Sequence, residues 1–276
     1  MPAITTNIAA NSAVYYLNIN SQQETSALSK LSSGSRIVAA SDDAAGLAIS
    51  TRISSDITTL QQAATNAAQA TSILQTADGG ASNISDILAR MKSLASESAS
   101  GTTVSPSNSF IDAEFQNLVG EIDSIAHGTR YSGQALLDGS SAFSSGVTVL
   151  VGSASTDTIG ITLSSLTTTA LFGPTPTINV ANITTAAAAL STLDSAITTV
   201  STVRAQIGAQ ESRFNFSANS IATQTQFLQA ANSAIKDVDV AAEQAALSSA
   251  EVKTQAAVAA ETAANQMPQF LLKLLG

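Results

Sequence analysis

Apolar residues recur every seven positions through the last third of the chain, at Leu193, Val200, Ile207, Phe214, Ile221, Leu228 and Ile235. Leu190, Ile197 and Ala218 partly fill the companion column, while Arg204, Glu211, Thr225 and Asn232 weaken it. A 3.5-residue repeat of this length predicts a helix packed along other helices, running roughly 65 Å at ~1.5 Å per residue. After Asp237-Val238-Asp239 a further Ala-rich helix is predicted, with Val238, Ala245, Val252 and Ala259 again seven apart. It ends in the apolar stretch Phe270 to Leu275, which predicts burial against another subunit or a chaperone.

Near the other end, Val14, Leu17, Leu28 and Leu31 fit an a/d seam; Ser21 and Glu24 fill two of its slots, and Ala3 and Ala10 extend its columns. Gly34 interrupts the pattern. Ser41-Asp42-Asp43 reads as a helix start, because short polar side chains satisfy free amides and carboxylates suit the helix dipole. The helix expected from about 43 to 99 follows Ile53, Ile57, Leu60, Ala64, Ala67, Thr71 and Leu74. Asp78-Gly79-Gly80 is a possible break, after which Ile84, Leu88, Met91 and Ala95 resume with a shifted phase. Pro106 precedes a third helix along Ile111, Phe115, Leu118, Ile122 and Ile125, expected to fold back antiparallel. From about 128 to 187 the helical period vanishes. Val147 to Val151 and Ile159 to Leu163 predict two short strands joined through Gly152 to Thr158, the only β region expected, and Pro174 and Pro176 mark a further turn. The expected fold is therefore mainly α: long antiparallel helices in a coiled-coil-like bundle, a small β-hairpin region, and paired N- and C-terminal helices.

Composition sharpens this picture. Of 276 residues, 44% are hydrophobic but only 4% aromatic, and alanine, at 50 residues, is the largest single part of that share. Alanine buries little area yet favours helix and lets helices approach closely. With no cysteine, thiolate, iron–sulfur and disulfide chemistry is excluded. A net charge of -9 disfavours nucleic-acid binding, since phosphates need Lys/Arg clusters. No apolar run is long enough to insert as a membrane-spanning helix. The first residues have neither the basic segment nor the apolar core of a secretory leader. The single His127 reads as a helix-end residue, Asp42 and Asp43 as a helix start, and no cofactor or metal site is expected.

Lys30-Leu31-Ser32-Ser33-Gly34-Ser35-Arg36-Ile37, followed by Ser41-Asp42-Asp43-Ala44-Ala45-Gly46-Leu47-Ala48-Ile49-Ser50, closely resembles the N-terminal signature of bacterial flagellin. The resemblance continues through Leu74 to Gly79, Glu121 to Ala126, Thr129 to Leu137, Ile197 to Ala209, and Ala263 to Gln269 with Leu271 to Leu275. It covers roughly residues 1–140 and 187–276 and identifies a short form with little or no variable outer domain.

The resemblance implies a structural, non-enzymatic subunit that polymerises into the flagellar filament for swimming motility. Residues 1–42 plus 237–276 would form a discontinuous inner-core helical domain. Residues 43–236 would form the outer-core bundle, with a β-hairpin region at about 140–186 in place of large variable domains. Gly34, Arg36, Asp42 and Asp43 would lie in the linker between them. The apolar columns named above would be the assembly seam. Implied partners are identical or paralogous flagellin subunits, an export chaperone on the C-terminal helix, and hook-associated and cap proteins at the filament ends. The chain would be extracellular, in the filament, exported by the type III route without a cleaved signal peptide. Leu88, Arg90, Leu94 and Glu114 match the family's Toll-like-receptor contact motif, whereas Ala89, Lys92 and Ser93 depart from it. A hook–filament junction protein shares both terminal regions, but more often carries proline after Ser-Asp-Asp, where Ala44 stands here.

Overall fold

The computed structural model describes residues 6–100, 106–174 and 178–275, with side chains described as far as residue 267. Ala3 and Pro176, and the side chains of the apolar end from Phe270, lie outside the described residues. Helix α1 is Ile8–Ser33, α2 Ala44–Ala99 and α3 Ser107–Gly128. A short ladder of β1 (Arg130–Tyr131) and β2 (Gln134–Ala135) follows, then α4 (Ala142–Ser145), β3 (Val147–Leu150), β4 (Thr158–Ile161) and α5 (Thr168–Phe172). The chain finishes in α6 (Ile183–Lys236) and α7 (Val240–Leu275). The mainly helical architecture with a small hairpin is the one the periodicity predicts. The helix α2 is unbroken over 56 residues, so Gly79-Gly80 does not interrupt it.

Two compact units emerge: residues 1–57 with 226–276, and residues 58–225. The division falls within α2 and α6, where the first turns of α2 bond to the last turns of α6. Ser50 Oγ donates to Asn232 Oδ1 at 2.7 Å, and Asn232 Nδ2 donates to Ser54 Oγ.

In the unit of residues 58–225, α2 runs antiparallel to both α3 and α6. Gln75 bonds to Glu211, Arg204 to Asp78 and Lys92 to Asp194, a series that descends α6 as it climbs α2. Leu74, Ile84, Leu88 and Met91 of α2, Phe115 and Ile122 of α3, and Leu193, Val200 and Phe214 of α6 are buried. Burying one such side chain contributes roughly 1.5–3 kcal/mol, so these helices account for most of the core. Gly80 is buried where α2 meets the chain after α3; a Cβ there would lie 2.3 Å from Thr129 Oγ1 and 2.9 Å from Leu137 Cδ1. Glycine is what permits that approach.

The strands β3 and β4 pair antiparallel, Val147 opposite Ile161 and Leu150 opposite Thr158. Two helix carboxamides hold this hairpin. Asn66 Nδ2 of α2 donates to the Leu150 carbonyl at 3.2 Å. Gln210 of α6 both accepts from the Thr162 N–H and donates to the Thr162 carbonyl, each at 3.0 Å. Gln210 thus makes the pair of bonds that a neighbouring strand residue would make. The β1–β2 ladder was not expected: it turns through Ser132 (φ 49°) and Gly133 (φ 83°), both left-handed.

In the other unit, α1 and α7 pair antiparallel. Asn7 Nδ2 donates to the Ala264 carbonyl at 2.8 Å and Thr254 Oγ1 donates to Glu24. Gly34, at φ 68°, ends α1 in the left-handed conformation that favours glycine.

Candidate assembly surfaces

Each face of these helices can be assigned. Toward α1, α7 turns Glu243, Leu247, Ala250, Thr254, Ala257, Glu261 and Ala264, spaced alternately four and three apart. The expected column of Ala245, Val252 and Ala259 points outward, and Val252 is 66% exposed. The physical reason is distance: close helix approach needs alanine, so the bulkier valines lie outside. On α1 the column of Ala10, Leu17, Glu24 and Leu31 is at least half-buried. Its companion is Ala13, Asn20 and Ala27 rather than Val14, Ser21 and Leu28; Val14 is 38% and Leu28 56% exposed. Tyr15 and Tyr16 are exposed too, their rings 5.6 Å apart and edge-on. On α6, Leu193, Val200, Ile207, Phe214 and Ile221 are buried, whereas Leu228 and Ile235 are only half-buried.

The segment between α1 and α2 is held to the one between α6 and α7 by a hydrogen-bonded clasp. Ser35 pairs antiparallel with Asp237. Arg36 donates its N–H to the Lys236 carbonyl at 2.6 Å and its guanidinium Nη2 to the Ile235 carbonyl at 2.8 Å. The Val238 N–H donates to the Gly34 carbonyl at 3.2 Å. Asp42 Oδ2 accepts from the Val38 and Ala39 N–H groups at 3.0 and 2.9 Å, closing the loop before α2. Those two donors, Ala39 foremost, hold the Asp42 carboxyl below its usual range. Asp43 Oδ1 accepts from the Gly46 N–H at 2.8 Å, capping α2. A Cβ at Gly46 would lie 2.9 Å from Ile37 Cδ1 and closer still to the Asp43 carboxylate, so glycine lets both side chains keep their positions. The adjacent carboxylates therefore close a loop and start a helix, and Asp239 starts α7 in the same way through the Ala241 and Ala242 N–H groups.

Of the four residues matching the receptor motif, Leu88 and Leu94 are buried at 0 and 2% exposure and present no side chain to a partner. Only Arg90 and Glu114 lie at the surface, joined to each other by Arg90 Nη2 and Nε at 2.7 and 3.0 Å from Glu114 Oε1. The contact reading for the two leucines is corrected accordingly: they are core residues between α2 and its neighbours.

His127 ends α3, its Nδ1 2.8 Å from the Asp123 carbonyl. The Asp123 carboxylate is not its partner: it accepts from the N–H and hydroxyl of Thr168 at 2.8 and 2.7 Å, holding the start of α5. Sequence offered no signal for that bond across 45 positions. Among the described residues no group of three or more His, Cys, Asp or Glu is placed to hold a metal ion. No described helix is long and apolar enough to cross a membrane.

Comparison with known proteins bears on what these surfaces serve. Residues 4–142 match the bacterial flagellin N-terminal helical region, and residues 190–275 match the bacterial flagellin C-terminal helical region. The chain belongs to the bacterial flagellin family. It is 35% identical to a flagellin of Halalkalibacterium halodurans over 269 residues, 98% of each chain. The crystal structure of Bacillus cereus flagellin superposes with a TM-score of 0.51 at 29% identity, covering 61% of this chain and 94% of that one. A putative flagellar hook-associated protein from Vibrio parahaemolyticus gives a TM-score of 0.58 at 15% identity, covering 70% of this chain and 99% of that one, a likeness of fold alone. Membership over nearly the full length makes this flagellin chain a structural subunit that polymerises with flagellin subunits into the extracellular flagellar filament.

Proposed function

We propose that the α1–α7 hairpin is the inner-core element of the filament, covering residues 1–42 and 237–276, and that its order belongs to the polymer. The observation that carries this is the makeup of its seam. Small residues dominate the contact (Ala10 and Ala27 against Ala250, Ala257 and Ala264), and Leu247 is the one large aliphatic of α7 buried among the described residues. Glu24, Glu243 and Glu261 occupy further seam positions. An alanine seam releases too little free energy to offset the ordering of two long helices. Meanwhile Ile8, Val14, Tyr15, Leu28, Val252 and Val258 point away from the seam and are available to neighbouring subunits. An open, head-to-tail assembly buries such faces repeatedly.

Residues 43–236 form the outer-core bundle in this reading, with the clasp at Gly34, Arg36, Asp42 and Asp43 as the joint. The chain travels unfolded through the type III export channel, which a cysteine-free sequence suits. A chaperone covers the apolar C-terminal helix beforehand, hook-associated and cap proteins meet the filament ends, and the subunit's work is packing rather than catalysis. Hydrogen exchange tests the central point. Amides at 8–30 and 245–264 are expected to exchange freely in the monomer and to be protected in sedimented polymer; protection already present in the monomer would overturn it.

A further inference from the structure

We infer that Asn7 is the positioning residue that sets the register of α1 on α7, by recognising the one main-chain carbonyl of α7 that a proline leaves open; this deepens the inner-core role proposed above and rests on it. Pro268 lies in the interior of α7 and is its one proline. A proline has no N–H, so the carbonyl four residues before it receives no helical bond. That carbonyl belongs to Ala264, and Asn7 Nδ2 donates to it at 2.8 Å. Ala264 is buried at 6% exposure, so water has little access to the freed oxygen. The same carboxamide works at its other end: Asn7 Oδ1 accepts from the Ala10 N–H at 3.1 Å and caps α1. One side chain thus starts α1 and closes the gap in α7.

An alanine seam needs such a mark. On α7 one column carries Ala250, Ala257 and Ala264, seven apart, and the facing column of α1 carries Ala13 and Ala27. Such helices can slip by one heptad, about 10.5 Å at ~1.5 Å per residue, and still set small residues against small ones. Shape therefore discriminates poorly between alignments. The Asn7 bond discriminates well. One heptad back along α7 it would meet Ala257, whose carbonyl stands four residues before Glu261 and already takes a helical bond. In the aligned pair both the carboxamide and the Ala264 carbonyl are satisfied, and in that slipped pair neither is. A polar group satisfied in one alignment alone is how packed helices fix register.

The test separates reach from capping. Asn7→Ser keeps an N-cap of comparable quality but is too short to reach Ala264. Its critical concentration for polymerisation is expected to rise about tenfold, equivalent to 1.4 kcal/mol. Pro268→Ala supplies the missing N–H to Ala264 from within α7. Added to Asn7→Ser, it is expected to return the critical concentration to that of Pro268→Ala alone, a non-additivity that a capping role would not produce. Should Asn7→Ser not sediment at all, recovery by Pro268→Ala carries the proposal and its failure overturns it. Register is read by disulfide formation, which the cysteine-free chain allows. Thr254 Oγ1 and Glu24 lie 3.2 Å apart, so Glu24→Cys with Thr254→Cys is doped as a minor fraction into wild-type chain and polymerised. The sedimented disulfide is expected to form at least fivefold more slowly when Asn7→Ser is added. An unchanged critical concentration for Asn7→Ser, strict additivity with Pro268→Ala, or equal disulfide rates would each overturn the register role. A disulfide that forms as fast in monomer as in polymer would instead overturn the reading that the order of this hairpin belongs to the polymer.

Discussion

Adjacent glycines in α2 provide a test whose sign reverses over a single residue. Gly79 and Gly80 both sit in the interior of an unbroken helix, where alanine is favoured over glycine by roughly 0.8–1.0 kcal/mol. A Cβ at Gly79 meets nothing within 4 Å, so Gly79→Ala is expected to stabilise the bundle by about 1 kcal/mol. A Cβ at Gly80 would lie 2.3 Å from Thr129 Oγ1, 2.8 Å from Thr129 Cγ2 and 2.9 Å from Leu137 Cδ1. Neither neighbour has room to yield: Thr129 Oγ1 donates to the Ile125 carbonyl at 2.8 Å, and Leu137 is fully buried. Overpacking costs typically 1–3 kcal/mol and the strained threonine bond about 1 more, so after the roughly 1 kcal/mol helix-propensity gain Gly80→Ala is expected to lose about 1–3 kcal/mol net. Thermal unfolding followed by circular dichroism separates the two, at roughly 2–4 °C per kcal/mol for a unit of this size. A Gly80→Ala chain as stable as Gly79→Ala would show that the backbone approach at Thr129 is not close, and with it that the α2–α3 packing is wrong.

Other outcomes follow from burial and charge. Leu193→Ala, at a fully buried position, is expected to cost about 2–5 kcal/mol in chemical denaturation, whereas Leu28→Ala, 56% exposed, should leave monomer stability within ±0.5 kcal/mol and impair polymerisation instead. Leu88→Ala is expected to destabilise the bundle by a similar 2–5 kcal/mol, so any loss of receptor signalling should track the folded fraction; full stability with lost signalling would contradict its burial. Because Asp42 has a depressed pKa, its hold on the linker is whole above the ordinary value of 3.8 and is lost as pH falls through the lower folded-state value. Amide exchange at Val38 and Ala39 should accelerate over that acid window in the wild-type chain and show no such step in Asp42→Ala.

The periodicity of α6 was legible because its large aliphatics face one direction through five heptads. It fades at Leu228 and Ile235, where the neighbouring residues are those of the other unit. In α7 hydrophobicity alone favours Val252 over Ala250 for the interior. Packing reverses that choice, since the seam selects for small size and the valines are left for outward contacts. The Asp42-Asp43 cap was readable from local chemistry, as caps act within three or four residues. Bonds such as Asp123 to Thr168, or Gln210 to Thr162, join residues more than forty positions apart and leave no local trace. The β1–β2 ladder is two residues long on each side, shorter than any alternation that a pattern can register.

The hairpin held by Asn66 and Gln210 has a consequence for how such chains diversify. Both carboxamides grip main-chain atoms, at Leu150 and Thr162, so the hold is indifferent to which side chains the strands carry. Between those anchors Ser153 to Thr156 are exposed, and the Ala154 N–H bonds back to Asp157 within the same loop. The helices thus provide a socket, and the loop tip is a site where added length leaves the socket untouched. Surface novelty can enter there without renegotiating the packing on which the polymer depends.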